Sequence, residues 1–251
     1  MNKEELLLQK RLIDLSNAAY RRDIVTFSDF LNLNELNILH STPKNLFPCG
    51  YRTFGGYELA ERQMVAFLPD ALYYEYFYPL QVLRIQPTNK KFAEELSHRD
   101  YLGSILSLGI DRSKIGDLLP KEDSCILFCH ENMADYLIEH LTKIRHTLVT
   151  VTKEKGEEID YQPSLEELKG TVPSVRLDTV LSVAYPMSRS KLTSHIEAGR
   201  VFVNGKLITS NGYHLKEGDI ISVRHMGRIL YKGILSETKK GRYYISVGKY
   251  I

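Results

Sequence analysis

The 251 residues are 43% apolar and 25% charged, with 16 tyrosines, no tryptophan and three cysteines, a balance that excludes a disordered chain and a disulfide-stapled one. The net charge of +2 is unevenly spread: residues 1–175 carry 20 Lys/Arg against 26 Asp/Glu, and residues 176–251 carry 13 against 5. A basic end on an acidic body points to a polyanion met by that end.

The opening run MNKEELLLQKRLIDL is charged throughout and no apolar run approaches the length of a membrane span. No signal peptide and no membrane insertion are expected, and a reducing, cytoplasmic location is. Residues 1–78 are expected to form a largely helical domain. Leu6, Leu7, Ile13 and Ala18 lie within a charged first helix, and residues 27–39 carry a second, with Ser28 as its N-cap. Pro43 and Pro48 interrupt the pattern, Phe54-Gly55-Gly56-Tyr57 is a turn, and residues 62–68 fit strand or helix. The run LYYEYF at 72–77 has the composition to stack nucleobases. Aromatic runs are more often core, and core is the expectation.

Residues 79–153 have a cleaner rhythm. Strands are expected at 81–86, 114–119, 124–129 and 147–151, and helices at 99–108 and 131–144. Leu137, Ile138, Leu141 and Ile144 share the buried face of the later helix. The order β-α-β-β-α-β is a ferredoxin-like (RRM-like) split unit. RNA-recognition domains of this order read bases with aromatics on their central strands. Only Phe128 stands there, so the domain is expected to be a scaffold or a second contact surface. Cys125 and Cys129 are four apart beside His130, but no second Cys/His pair with ligand spacing follows. Buried thiols are expected, with no metal and no cofactor.

Residues 154–174 are polar, hold Pro163, Gly170 and Pro173, and are expected to be a linker. The switch to basic composition follows at once. Leu177, Val180, Leu181 and Ala184 then share one helical face, and Pro186 stops that helix. Arg176 lies in the first turn, where a cation gains nothing from the helix dipole and suggests an external anion. Ser188 caps a second helix, Leu192 and Ile196 bury its face, and Gly199 ends it. Ser188 and Arg189 place a hydroxyl, free N–H groups and a guanidinium at one helix start, as a phosphate site requires. The segment Arg200-Val201-Phe202-Val203-Asn204-Gly205-Lys206 alternates and turns at Asn-Gly, a hairpin. Val201 and Val203 face one way; Arg200, Phe202 and Asn204 face the other. Residues 230–251 alternate again, add Lys239, Lys240 and Arg242, and are expected to pair as an extra hairpin.

Two helices, an Asn-Gly hairpin and a Glu217-Gly218-Asp219 turn before a strand resemble the S-four (alpha-L) RNA-binding domain over residues 175–228. The resemblance implies one RNA-facing groove with contacts from Arg176, Ser188, Arg189, Lys191, Arg200, Asn204 and Lys206. Arg224, His225 and Arg228 extend the basic surface, and Glu217-Gly218-Asp219 is structural. Leu192 stands where the family often has Ala, on the buried face. Nearly the whole chain resembles the YlmH family of bacterial cell-division-locus and ribosome-associated proteins. Phe54-Gly55-Gly56-Tyr57 with Glu61-Arg62 carries this, as do His98-Arg99-Asp100-Tyr101-Leu102-Gly103, Ile110-Asp111-Arg112 and Ile115-Gly116-Asp117. The expected class is α+β: a helical N-terminal region, the ferredoxin-like unit and a C-terminal S-four domain. The family implies a non-enzymatic protein whose partners are structured RNA (rRNA, tRNA) and the large ribosomal subunit, in ribosome quality control. The alternative is a septum factor that acts through contacts with cell-division proteins. His98, Arg99 and Asp100 are candidates for a second RNA or protein contact, or for a polar network orienting the central domain.

Enzymatic readings find little support. Arg176-Leu177-Asp178 matches the R-L-D of pseudouridine synthases, but no separate catalytic domain surrounds it. His98-Arg99-Asp100 echoes a kinase catalytic loop without its Gly-rich loop, strand Lys or Asp-Phe-Gly. No Gly-rich cofactor turn follows a strand, as a methyltransferase needs, and the nucleotide-binding signatures of a tRNA synthetase are missing. Neutralising about four to six phosphates gives log K a slope of about −3 to −5 against log salt.

Overall fold

A computed structural model of the chain describes residues 3–70, 72–154 and 165–250. It divides into two compact units, Met1–Asp160 and Tyr161–Ile251. The first unit begins with α1 (Lys3–Arg22), whose first turn holds Glu4 and Glu5 and whose last holds Arg21 and Arg22, each sign at the end the helix dipole favours. Its buried residues are Leu12, Ser16 and Ala19, while Leu6 and Leu7 stay exposed. β1 (Thr26–Phe27) and α2 (Leu33–Ser41) follow.

Helix α2 starts later than the apolar pattern suggests, because Asn32 and Glu35 cap it. The Asn32 side chain accepts from Asn34 N at 2.9 Å and Glu35 N at 3.1 Å, and Glu35 accepts from Asn32 N at 2.7 Å, a reciprocal capping box. Ser28 is buried instead, accepting from Val65 N at 3.0 Å. β2 (Gly50–Phe54) and β3 (Met64–Leu68) form a hairpin, and β1 adds to it in the order β1-β3-β2. The region expected to be largely helical is therefore a small mixed layer, with Leu12, Leu36, Leu39, Phe47 and Phe67 in its core.

Next come β4 (Leu80–Pro87), α3 (His98–Ser107), β5 (Ile115–Lys121), β6 (Ser124–His130), α4 (Glu131–His140), β7 (Lys143–Ile144) and β8 (Thr147–Lys153). They make an antiparallel sheet in the order β5-β6-β4-β8-β7. This is the ferredoxin-like arrangement with β7 added at one edge. Helix α4 stops at His140, short of expectation. Leu141 and Ile144 are buried as the periodicity requires, but Ile144 is in a strand. One face of the sheet packs on α3 and α4 through Leu83, Ile85, Tyr101, Ile105, Leu127 and Leu137. Cys125 and Cys129 lie in that core, and burial pushes both thiols up to about 12.

The opposite face is covered by the N-terminal part of the same unit. Tyr57 stacks on Phe128 with ring centroids 5.1 Å apart. Gly56 has φ +102°, and a Cβ there would sit 2.2 Å from the Phe128 ring; one on Gly116 would sit 2.7 Å from Phe30. Arg62 donates to the carbonyls of Ile115 (2.8 Å), Phe30 (3.1 Å) and Arg112 (3.1 Å). Asp117 accepts from Tyr57 Oη (2.8 Å), Glu61 N (2.7 Å) and Arg62 N (3.1 Å). The boundary expected at 78/79 thus falls inside one compact unit.

In the second unit, β9 (Leu165–Val172), α5 (Leu177–Ala184), α6 (Arg189–Glu197), β10 (Val201–Val203), β11 (Lys206–Leu207), β12 (Ile220–Val223), β13 (Gly227–Glu237) and β14 (Tyr243–Tyr250) build one sheet in the order β11-β10-β12-β13-β14-β9. Both helices pack on it through Leu177, Val180, Leu181, Leu192 and Ile196, against Val201, Ile221, Ile229, Ile245 and Val247. The extra hairpin exists as β13 and β14. The linker expectation is corrected over Leu165–Val172, which pairs along its whole length with β14; residues 155–164 lie outside the described residues.

Candidate nucleic-acid interface

Helix α5 begins at a point the fold holds firmly. Leu177 N donates to Tyr213 O at 2.8 Å, Asp178 N to Asn211 O at 3.3 Å, and Arg176 N to Thr179 Oγ1 at 3.2 Å. Asp178 is 5% exposed. Its carboxylate accepts from Arg176 Nε at 3.1 Å and Nη2 at 3.0 Å, and from Arg189 Nη2 at 3.1 Å. The side chains of Arg176 and Arg189 remain 40% and 57% exposed. One buried carboxylate thus fixes two guanidiniums from two helix starts and leaves their outer edges to solvent. Two cations and one anion leave a net positive fork, suited to phosphate.

The start of α6 adds to this cluster. Ser188 caps the helix, its Oγ accepting from Lys191 N at 3.4 Å and lying 3.1 Å from Ser190 Oγ. Lys191 is exposed. Arg176, Ser188, Arg189 and Lys191 are therefore the expected residues that the structure gathers around two adjoining helix starts.

The remaining candidates divide. Arg200 is exposed at the corner between α6 and β10, and its carbonyl accepts from Arg224 N at 2.9 Å. The Arg224 guanidinium lies 5.5 Å from the Phe202 ring centroid. Phe202 pairs with Ser222, and Ser222 with Arg228. That cross-strand row lies on the sheet face away from α5 and α6, because Val201, Val203 and Ile221 fill the helix-side core. Arg228 there sits 4.8 Å from the Tyr250 ring centroid. Arg224 and Arg228 form a second basic surface and do not join the helix-start cluster. Phe202 is buried, not a free ring.

Asn204 is mainly architectural. It has φ +49° and Gly205 has φ +77°, both left-handed as a tight Asn-Gly hairpin turn demands. Its amide donates to Asp219 Oδ1 at 2.8 Å and accepts from Ile220 N at 2.9 Å. Asp219 also accepts from Lys216 N at 2.7 Å. With one amide donor and the amide oxygen committed, Asn204 ties the hairpin to the Glu217-Gly218-Asp219 turn, and Lys206 beyond it is exposed.

In the first unit, Asp100 is a helix cap. It accepts from Ser97 N at 2.9 Å and Ser97 Oγ at 2.6 Å, and these bonds hold its carboxyl below the usual range. His98 begins α3, with its pKa lowered first by partial burial and then by the Arg112 cation. Arg99 is exposed. Sequence reasoning missed Asp178 as the fastener of the arginine pair, since Arg189 is 11 residues away. It also missed Lys249, whose Nζ lies 5.7 Å from the ring centroid of buried Tyr185. No local pattern signals either. Among the described residues, no group of three or more His, Cys, Asp or Glu is placed to hold a metal ion, and no helix is long and apolar enough to cross a membrane.

Two family models match separate stretches of the chain. Residues 75–158 match a family model described as "Putative RNA-binding domain in YlmH", and residues 175–221 match the S4 domain. The chain is 30% identical over 224 residues to the "Ribosome-associated protein quality control protein P2" of Bacillus subtilis (strain 168), covering 87% of this chain and 85% of that one. A solved structure, "Cell division protein ylmH from Streptococcus pneumoniae", superposes with a TM-score of 0.50 at 19% identity, over 61% of this chain and 93% of that one. At that identity it shows a shared fold.

Proposed function

Because the chain belongs to the YlmH family, we propose that it is a non-enzymatic RNA-binding protein that works on the large ribosomal subunit, in the quality-control process for which its Bacillus relative is named. It grips structured RNA, ribosomal or transfer, at the paired helix starts of its S4 domain. The observation that carries this reading is the Arg176–Asp178–Arg189 cluster, two guanidiniums set in fixed relation and open on their outer edges. Phosphate contacts position such a protein on RNA, and the shape of the RNA supplies its preference. A catalytic role for Asp178 finds no support, since both of its oxygens are engaged by arginines.

The test is binding of purified large subunits by the full chain and by an Arg176→Ala/Arg189→Ala variant, measured by co-sedimentation. The parent is expected to pellet with the subunits at low salt and the variant to bind at least about tenfold more weakly. Equal binding by both would remove the helix starts from the interface. A septum defect that appears in a deletion strain and is rescued by the same variant would favour the cell-division reading.

A further inference from the structure

Residues 72–77 lie outside the core to which the sequence assigned them. The run alternates as an extended segment does. Tyr74, Tyr76 and Tyr78 face the body of the unit: Tyr74 Oη accepts from Val25 N at 2.8 Å, Tyr76 packs 6.3 Å from Phe27, and Tyr78 lies 5.5 Å from both Phe27 and Phe54 between ring centroids. Tyr73 and Phe77 face outward and are 82% and 81% exposed. Three anchored rings thus hold two exposed ones, Tyr73 standing edge-on to Tyr74 at 5.8 Å between ring centroids.

We propose that Tyr73 and Phe77 are a stacking platform for unpaired RNA bases. The inference rests on the RNA-binding reading above and adds a second site on the other unit. Three observations favour this occupant. The match to the RNA-binding domain of the family begins at residue 75 and so takes in Phe77. The sheet face on which domains of this order stack bases is filled here by Tyr57, Gly56 and Phe30 against Phe128 and Gly116, so stacking has to use another surface. The surroundings also supply cations. Arg52 is exposed on β2 two residues before Phe54, and exposed Arg21 and Arg22 close α1 just before Val25. Against these stand Asp23 and Glu75, both exposed, so phosphate contacts here are few and the rings carry the site. Exposed rings with a carboxylate between them suit base faces better than a continuous apolar protein contact, and stacking tolerates any base.

The test compares two RNA probes by fluorescence anisotropy with the full chain: a blunt hairpin, and the same hairpin with a short unpaired extension. The parent should bind the extended probe at least about tenfold more tightly than the blunt one. Tyr73→Ala/Phe77→Ala should lose that increment and bind the blunt probe as the parent does, while Tyr73→Phe/Phe77→Tyr keeps it. Both rings are solvent-exposed, so the thermal midpoint should not move. Arg176→Ala/Arg189→Ala should weaken both probes and retain the increment, which separates the two sites. An unchanged increment in the alanine variant overturns the platform and leaves the S4 site standing. Unchanged RNA binding with loss of ribosome co-sedimentation overturns it in favour of protein docking. Failure of the parent to bind either probe overturns both readings.

Discussion

Asp178 has the wrong charge for the RNA-binding surface proposed here, yet the geometry ties it to both arginines of that surface. It holds Arg176 and Arg189 at 3.0–3.1 Å from the carboxylate of a side chain that is 7% exposed. Without that anchor the two side chains regain rotamer freedom and repel one another, and ordering each on binding costs about 0.5–1.5 kcal/mol. Asp178→Asn should therefore weaken RNA binding about tenfold, although it makes the domain more positive. Tighter binding would show that net charge outweighs preorganisation. Gly56 is the second residue whose role is geometric. Its φ of +102° and the 2.2 Å approach of a Cβ to Phe128 predict that Gly56→Ala costs about 3 kcal/mol or more, from backbone strain and overpacking together. The denaturant midpoint of the first unit checks this. The residues legible in the sequence are those whose partners are local. Ser188 caps α6 and Leu177, Val180, Leu181 and Ala184 face the core as expected, because capping and helical periodicity act within a few residues. The bonds from Asp178 to Arg189, from Arg62 to the carbonyls of Phe30 and Ile115, and from Asn204 to Asp219 were not legible, because those partners come from other elements.

Among elements, β9 shows best where local reading stops. Leu165–Val172 has no clean alternation of apolar residues, carries Gly170, and sits in a polar stretch. Its partner β14 lies far along the chain, pairing Leu165 with Tyr250 and Val172 with Tyr243. Gly170 packs so closely on Val183 of α5 that a Cβ would meet it at 2.8 Å, and Val172 enters the core. A fragment of residues 174–251 should therefore be less stable than one of residues 161–251. Losing Val172 and the partly buried Leu168 forfeits about 2–4 kcal/mol, a drop in Tm of roughly 10–20 °C for a domain of this size. Equal midpoints would show that β9 is an ornament. The helix ends follow the same logic. α2 begins where Asn32 and Glu35 cap each other, and α4 ends before the apolar period does, because buried side chains continue into β7.

At the scale of the molecule, charge separates the two compact units almost as packing does. The C-terminal unit is net positive, with 14 Lys/Arg against 7 Asp/Glu in residues 161–251, so binding should be steeply salt-dependent. The expected slope of log K against log salt is about −3 to −5, falling in magnitude by about two in Arg176→Ala/Arg189→Ala, as read from a potassium chloride titration with large subunits. A slope near zero would mean that contacts other than phosphate ion pairs hold the complex.

The sequence by itself determined the α+β class, the ferredoxin-like order, the two short helices and hairpin of the S4 domain, and the charge divide between the two ends of the chain. Each is written in short-range periodicity, turn chemistry or summed charge, which need no knowledge of distant partners. Only the tertiary structure decided that the first two expected domains share one unit, that Arg224 and Arg228 leave the helix-start cluster, that Asp178 fastens two arginines, and that Tyr73 and Phe77 face solvent. Those outcomes depend on which side chains from separate segments compete for the same space or the same hydrogen bond, and only the folded chain brings those segments together.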